Sequence, residues 1–550
     1  MVKGVLICVA LLSNGPYLLE RISEINSAPL IALFILLYTF FLISVLITSV
    51  ITNAITRWLC AAIYLVFFLF SDAYWRVTGG FISYSSFISM VNAHGFVGDA
   101  MEQYGNLFLI SGFLGALLFV GLVIPVKKSP SNLFVLFIPL TSIFILVSML
   151  FIRGGDGGKG LSLIYTPMAY SILFLYEKAA EDNGPRLPVT IETAGVEQGK
   201  DIVFVIDESV RGDFLDINAN NGVYTGLADG DVNWKLYNYG LAVAVATCSA
   251  EVNVTLRYGG TREQYKAIIA RHPSIWQYAK KADMKTVYID TQRTAGKLQN
   301  YMDSEELLSI DEFVQFDGVD ILYRDVLAAE KIAKYSQNDT AEFILVNKMG
   351  AHFPVHDKYP DNFTYYKPVL RRGGFVGISD TGNRDGFDGA DEWRLYVNSY
   401  KNTLLWSVGE FFKTIKLQAK LSNLIMVYTS DHGQDLHLDG RSGVTTHCSG
   451  ERARSNEAVV PLVVLEGGKA KFDWSENLNH NYNAVSHFNI FPTLLKLMNY
   501  DAEEVSKIYG YSLDQKVEDP YTYNVRFNAR LGMKPIWKKM DREDPINSKN

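Results

Sequence analysis

The sequence predicts a chain in two parts: a domain of about five membrane-spanning helices over residues 1–152, then an α/β/α domain with a mostly parallel sheet over residues 201–550. A junction at residues 153–200 would join them. Three observations carry this. Of the 51 Lys and Arg and 58 Asp and Glu in 550 residues, residues 1–152 hold about 11, so one part is composed for lipid and the other for water. Apolar runs of about 20 residues recur in the first part. In the second, short β-rich runs alternate with helix-length segments.

Residues 29–50, 107–126 and 133–152 are near-continuous apolar runs, each long enough for a helix to cross the hydrocarbon core. Residues 58–75 read as a further span, with Asp72 near its end, where a charge reaches the headgroups. Residues 4–19 are interrupted by Asn14-Gly15-Pro16; a span and a signal peptide compete there. Arg57 and Lys127-Lys128 flank short loops that the positive-inside rule places in the cytoplasm. Lys3 joins them inside if residues 4–19 cross, and everything after Arg153 then lies outside. Residues 76–105, with Ser85, Ser86, Asn92 and Asp99, form an outer loop. After Gly154-Gly155-Asp156-Gly157-Gly158, residues 161–176 read as an interfacial helix interrupted by Pro167. A sixth span is the alternative, and it would return the polar half to the cytoplasm. Residues 182–200, with Pro185, Pro188 and Gly195, read as a linker.

A net charge of −7 without a basic tract offers no footprint for nucleic acid. Four cysteines, none in a C-x-x-C pair, exclude a disulfide scaffold and a finger-type zinc site.

In the polar half, residues 202–206, 286–289, 343–346, 424–428 and 459–465 are apolar without alternation, as strands covered on both faces are. Ligands of such sheets bind beyond the carboxyl ends of the strands. Asp207-Glu208-Ser209 follows the first run, Asn347-Lys348-Met349-Gly350-Ala351-His352 the third, and Thr429-Ser430-Asp431-His432-Gly433 the fourth. Carboxylates and imidazoles therefore gather at one edge, and Asp431-His432 places two metal ligands on a turn that Gly433 lets bend. The run of small residues ending in Thr247, before a helix-compatible stretch, puts a hydroxyl at a helix N-terminus, where an anion is favoured. A Zn²⁺ held by Glu208, Asp431 and His432 would leave a fourth position for the Thr247 oxygen and make it a nucleophile. Ser249 is the rival.

On these residues, quoted as FVIDESVRGD, ATCSAEVN, MGAHFPVHDKYP, YTSDHGQDL and THCSG, the polar half resembles the alkaline-phosphatase/sulfatase superfamily. The whole chain resembles the membrane-anchored phosphoethanolamine transferases within it. The resemblance implies a sulfatase-like α/β/α catalytic domain in the periplasm, anchored in a bacterial inner membrane. It implies Glu208, Asp431, His432 and Thr247 as ligands of one or two zinc ions, and Thr247 as the residue that is transiently phosphorylated. It sets His352 and His447 on the substrate side, and Asn92 near the donor headgroup. The implied reaction moves phosphoethanolamine from phosphatidylethanolamine to an envelope acceptor such as lipid A or a lipopolysaccharide core sugar. Phosphoglycerol transfer is the alternative, since Thr247-x-x-x-Glu251 fits that branch equally; sulfatase chemistry lacks its C/S-x-P-x-R motif around Thr247. Thr255-Leu256 and Gln434 depart from the pattern of the lipid A-modifying members. Cys248 and Cys448 each adjoin a proposed site residue, and a bridge and two free thiols are both open.

Overall fold

A computed structural model of the chain describes residues 2–92, 97–127, 132–180, 184–229, 233–372, 390–438, 446–468 and 472–541. Two compact units emerge, one of residues 1–182 with 528–534, the other holding most of the remainder.

The first unit is helical. α1 (Val2–Leu12) and α2 (Gly15–Glu24) are bent by 40° at a break where Pro16 opens the second helix. α3 (Ala28–Thr48) and α4 (Ala54–Thr78) follow, then the short α5 (Tyr84–Asn92), α6 (Val97–Val123), α7 (Asn132–Ile152) and α8 (Tyr165–Ala180). α3, α4, α6 and α7 each contain a stretch long and apolar enough to cross a membrane, and the bent pair makes a fifth if it is one span. Two of the basic residues that orient these helices in the sequence converge on one end of α6. Lys3 Nζ donates to the Ile124 carbonyl at 2.7 Å and Arg57 Nε to the Val123 carbonyl at 2.9 Å, which answers carbonyls a helix end leaves unpaired.

One detail differs from expectation. Asp72 does not reach outward; it is fully buried, accepting from Arg76 Nε and Ser111 Oγ at 2.6 Å each, because a carboxylate inside an apolar bundle needs a partner within reach. The start of α8, expected as an interfacial helix, is also packed into the bundle, a contact the sequence did not show. Residues 165–170 are buried, and the Tyr165 hydroxyl bonds Ser44 Oγ at 2.8 Å and the Tyr64 hydroxyl at 2.6 Å. Two hydroxyls on neighbouring helices give the tyrosine partners that lipid would not.

The second unit is built on seven strands: β1 (Asp201–Asp207), β2 (Trp234–Val243), β3 (Lys285–Asp290), β4 (Glu312–Val314), β5 (Glu342–Asn347), β6 (Leu424–Ser430) and β7 (Val459–Gly467). Their order is β2-β7-β6-β1-β5-β3-β4. Only β7 opposes the rest, antiparallel to both β6 and β2. Along β1, Ile202, Phe204 and Ile206 enter one apolar layer and Val203 and Val205 the other. Both faces are thus covered, which is why the sequence shows no alternation there. The apolar pattern gave no sign of β2, whose WKLYNYGLAV mixes polar and apolar residues, nor of the three-residue β4. Residues 184–200 are no free linker. Ile191 enters the core of this unit and Thr193 Oγ1 donates to the Met498 carbonyl at 2.6 Å.

Candidate metal centre and active site

The site starts from strand register. β1 and β6 are adjacent and parallel with Asp207 opposite Ser430, so the next residues, Glu208 and Asp431, leave the sheet side by side. The backbone then closes around them. Asp431 N–H donates to the Asp207 carbonyl at 2.8 Å, and Ser209 N–H to Asp431 Oδ1 at 2.9 Å. Ser209 adopts φ +61°, an unusual left-handed conformation for a residue with a side chain, and Tyr400 steadies it by donating to its carbonyl at 2.8 Å. His432 N–H also donates to Asp431 Oδ1, at 2.7 Å. Gly433 is required for a reason other than a bend: a Cβ there would lie 2.3 Å from the Asn456 carbonyl oxygen.

Glu208, Asp431 and His432 are all buried, and one ligand atom from each lies within 4.8 Å of the others. His432 Nδ1 lies 2.7 Å from the Gly433 carbonyl. Nε2 lies 3.4 Å from Glu208 Oε1 and 3.5 Å from Asp431 Oδ2; against its burial, the charge of Asp431 and then that of Glu208 push the imidazole up to about 9, and a bound cation would take the place of the Nε2 proton. Asp431 Oδ2 is buried yet has no hydrogen-bond partner among the described residues. Two carboxylates and an imidazole, with one orphaned anionic oxygen, fit a zinc-type cation. Burial and the Glu208 charge push Asp431 up to about 7. Burial opposes charge on Glu208 as well, yet the hydrogen bond and charge of His432, then His352 and His447, hold it below the usual range.

The hydroxyl that meets this set is not the expected one. Ser249 Oγ lies 3.2 Å from Glu208 Oε1 and 3.0 Å from His432 Nε2. Thr247 is buried nearby, its carbonyl accepting from Cys448 N–H at 3.0 Å, but its hydroxyl bonds none of the three ligands among the described contacts. The shift is one of helix phase: α9 (Ser249–Tyr258) begins at residue 249, with Cys248 as its N-cap. Cys248 is bridged to Cys448, their Cα atoms 4.9 Å apart. The bridge sets the start of α9 beside the His447 loop. His447 stacks on His432 with ring centroids 4.5 Å apart. His352 joins the cluster electrostatically, and its Nδ1 lies 2.6 Å from the Phe353 carbonyl. Asn92 closes α5, and its side chain lies outside the described residues.

Two residues escaped the sequence reading. Gln292, just beyond β3, donates from Nε2 to Glu208 Oε2 at 3.1 Å, and its own oxygen accepts from Gln299 Nε2 at 2.9 Å. Its position past a strand end was the available signal. His487 lies behind the segment that leads into α9, accepting Val245 N–H at Nδ1 (3.4 Å) and contacting Thr429 Oγ1 through Nε2 (3.2 Å). Burial pushes its pKa down to about 3, so the folded protein holds it neutral. A histidine depressed in the native state contributes stability above its ordinary value of 6.5, which is lost as the pH falls toward 3. Between pH 7 and pH 5 that loss is about 2 kcal/mol. Thermal unfolding of the full chain in detergent checks it: His487→Asn should flatten this part of the acid dependence.

A mostly parallel sheet carrying a buried carboxylate–imidazole cluster at its carboxyl edge, beside a helix N-terminus, defines an α/β domain with a candidate metal centre. The sequence model of the Sulfatase family matches residues 200–500, more than half of the chain, and the chain belongs to that family. Among solved structures it is similar to the integral membrane protein lipooligosaccharide phosphoethanolamine transferase A (EptA) from Neisseria meningitidis, at 15% identity and TM-score 0.62. That likeness covers 93% of this chain and 98% of the other, and at this identity it is one of fold. The C-terminal periplasmic domain of EcEptC from Escherichia coli, in complex with Zn, matches at 15% identity and TM-score 0.49, covering 65% of this chain and 97% of that domain. No curated protein matches the chain.

Proposed function

We propose that the chain is a zinc-dependent phosphoethanolamine transferase of a bacterial inner membrane, its catalytic domain in the periplasm. Phosphatidylethanolamine is the donor, and lipid A or a lipopolysaccharide core sugar the acceptor. The observation that carries this is the buried Glu208, Asp431 and His432 cluster with its orphaned Asp431 oxygen and a hydroxyl of α9 at hydrogen-bond distance. Membrane-crossing helices in the same chain support a lipid donor, as does the full-length fold shared with EptA, a transferase of that group by its name.

Glu208, Asp431 and His432 would hold the cation, which when bound supplies Lewis acidity and lowers the pKa of a hydroxyl it meets. Gln292 fixes the rotamer of Glu208, and the Gly433 carbonyl fixes the ring of His432. The amide N–H groups at the start of α9 favour negative charge on the group being transferred. His352 and His447 line the substrate side as hydrogen-bond donors to phosphoryl oxygens. Their imidazoles are within electrostatic range of Glu208.

Full-length protein given headgroup-labelled phosphatidylethanolamine and a lipopolysaccharide acceptor should transfer label, stop on chelation and resume with zinc. Label transfer from phosphatidylglycerol alone would overturn the donor assignment in favour of phosphoglycerol chemistry. Transfer undiminished by chelation would overturn the metal.

A further inference from the structure

We propose that Ser249, not Thr247, is the nucleophile that carries the transferred group. The inference rests on the phosphoethanolamine reading above and deepens it. Three features of the site single out this oxygen.

First, Ser249 Oγ touches two of the three ligand side chains, Glu208 at 3.2 Å and His432 at 3.0 Å, whereas the Thr247 hydroxyl bonds none of them among the described residues. Second, the two residues differ in conformation. Cys248 is extended at φ −127° and ψ 132°, and Ser249 is the first residue of the ten-residue α9. Its Oγ therefore stands at the mouth of the helix, where the unpaired amides of the first turn face a phosphoryl group attached to it. Thr247 lies before the cap, its backbone tied by Cys448 N–H. Third, Ser249 Oγ reaches both kinds of side chain that would hold the cation, the carboxylate at Glu208 Oε1, which also accepts from Ser209 Oγ at 2.8 Å, and the imidazole at His432 Nε2. A hydroxyl within reach of two of the ligands is placed to meet the cation they would share.

The covalent steps balance. The Ser249 Oγ–H bond breaks and Oγ attacks the phosphorus of the donor phosphodiester. The P–O bond to diacylglycerol breaks, and that oxygen takes up one proton, giving free diacylglycerol and an ethanolamine phosphodiester on Ser249. An acceptor hydroxyl or phosphate oxygen then attacks the same phosphorus, losing its proton if it carries one. The P–Oγ bond breaks, and Oγ is reprotonated.

The test uses the full-length protein in detergent with phosphatidylethanolamine and no acceptor, digested and mapped by fragmentation mass spectrometry. Wild type should carry phosphoethanolamine on Ser249. Ser249→Ala should carry none and lose transfer by about 10⁴-fold or more, Ser249→Thr should regain the adduct on residue 249, and Thr247→Val should keep it there. Zinc content and the zinc-induced rise in melting temperature separate chemistry from folding: Ser249→Ala should retain both. An adduct mapped to Thr247, or one that persists in Ser249→Ala, overturns the inference and leaves the transferase reading standing. Zinc-loaded wild type that forms no adduct with this donor overturns both.

Discussion

Asp431→Asn is expected to fold, to lose its zinc, and to lose transfer by about 10³-fold or more. The substitution separates two jobs that one carboxylate performs. Oδ1 accepts from Ser209 N–H and His432 N–H and so ties together the turns that follow β1 and β6. An asparagine carbonyl oxygen accepts both of those bonds equally well. Oδ2 is the orphan, buried without a hydrogen-bond partner among the described residues. An amide nitrogen in its place removes an anionic ligand, and it brings two protons toward His432 Nε2, 3.5 Å from the present oxygen. The turns should survive and the cation should not. Zinc measured on the purified protein should fall well below the wild-type ratio, with the unfolding temperature measured without added metal little changed. Full transfer and a full complement of zinc in Asp431→Asn would remove the cluster from the mechanism.

Glu208, Asp431 and His432 were legible in the sequence because each follows an apolar run, and a buried strand read from such a run fixes which residue first emerges at its end. The register of β1 on β6 then brought them together as expected. The hydroxyl in contact with them, that of Ser249 rather than Thr247, lies two residues further on for the complementary reason. Small residues show that a helix is about to begin, but the first helical residue is set by a cap, here Cys248, whose bridge to Cys448 lies 200 residues away in sequence. Gln292 sits at the end of β3 in the same way that Glu208 follows β1. It stayed unnoticed because an amide is not a ligand type, although it orients one. β2 escaped because its edge position leaves polar residues at intermediate exposure, so no run or strict alternation marks it. Asp72 in the helical unit was misjudged because its partner, Arg76, lies one turn further on and draws it inward.

Breaking the Cys248–Cys448 bridge should act on stability and on rate together. The bridge spans 200 residues. In the chain-entropy account its removal frees the unfolded chain by up to about 5 kcal/mol, and relaxation of the reference state brings the measured cost to about 2–5 kcal/mol. The consequence for the site is more specific. Cys248 is the N-cap of α9, one residue before Ser249, and Cys448 is one residue after His447, whose ring stacks on His432. Besides the bridge, Cys448 N–H donates to the Thr247 carbonyl at 3.0 Å. Glu208, Asp431 and His432, by contrast, hang on adjacent strands and do not depend on it. Cys448→Ser should therefore keep its zinc while unfolding at lower temperature and transferring more slowly, by about 10-fold or more as the reacting groups lose their fixed spacing. Cys248→Ser should match it. The double variant should be no worse than either, because each single change already removes the whole interaction. A reductant should carry wild type to the same state and leave all three variants unmoved. Equal melting temperatures and equal transfer rates for oxidised wild type and Cys448→Ser would show that α9 and the His447 loop are held in place by their packing alone.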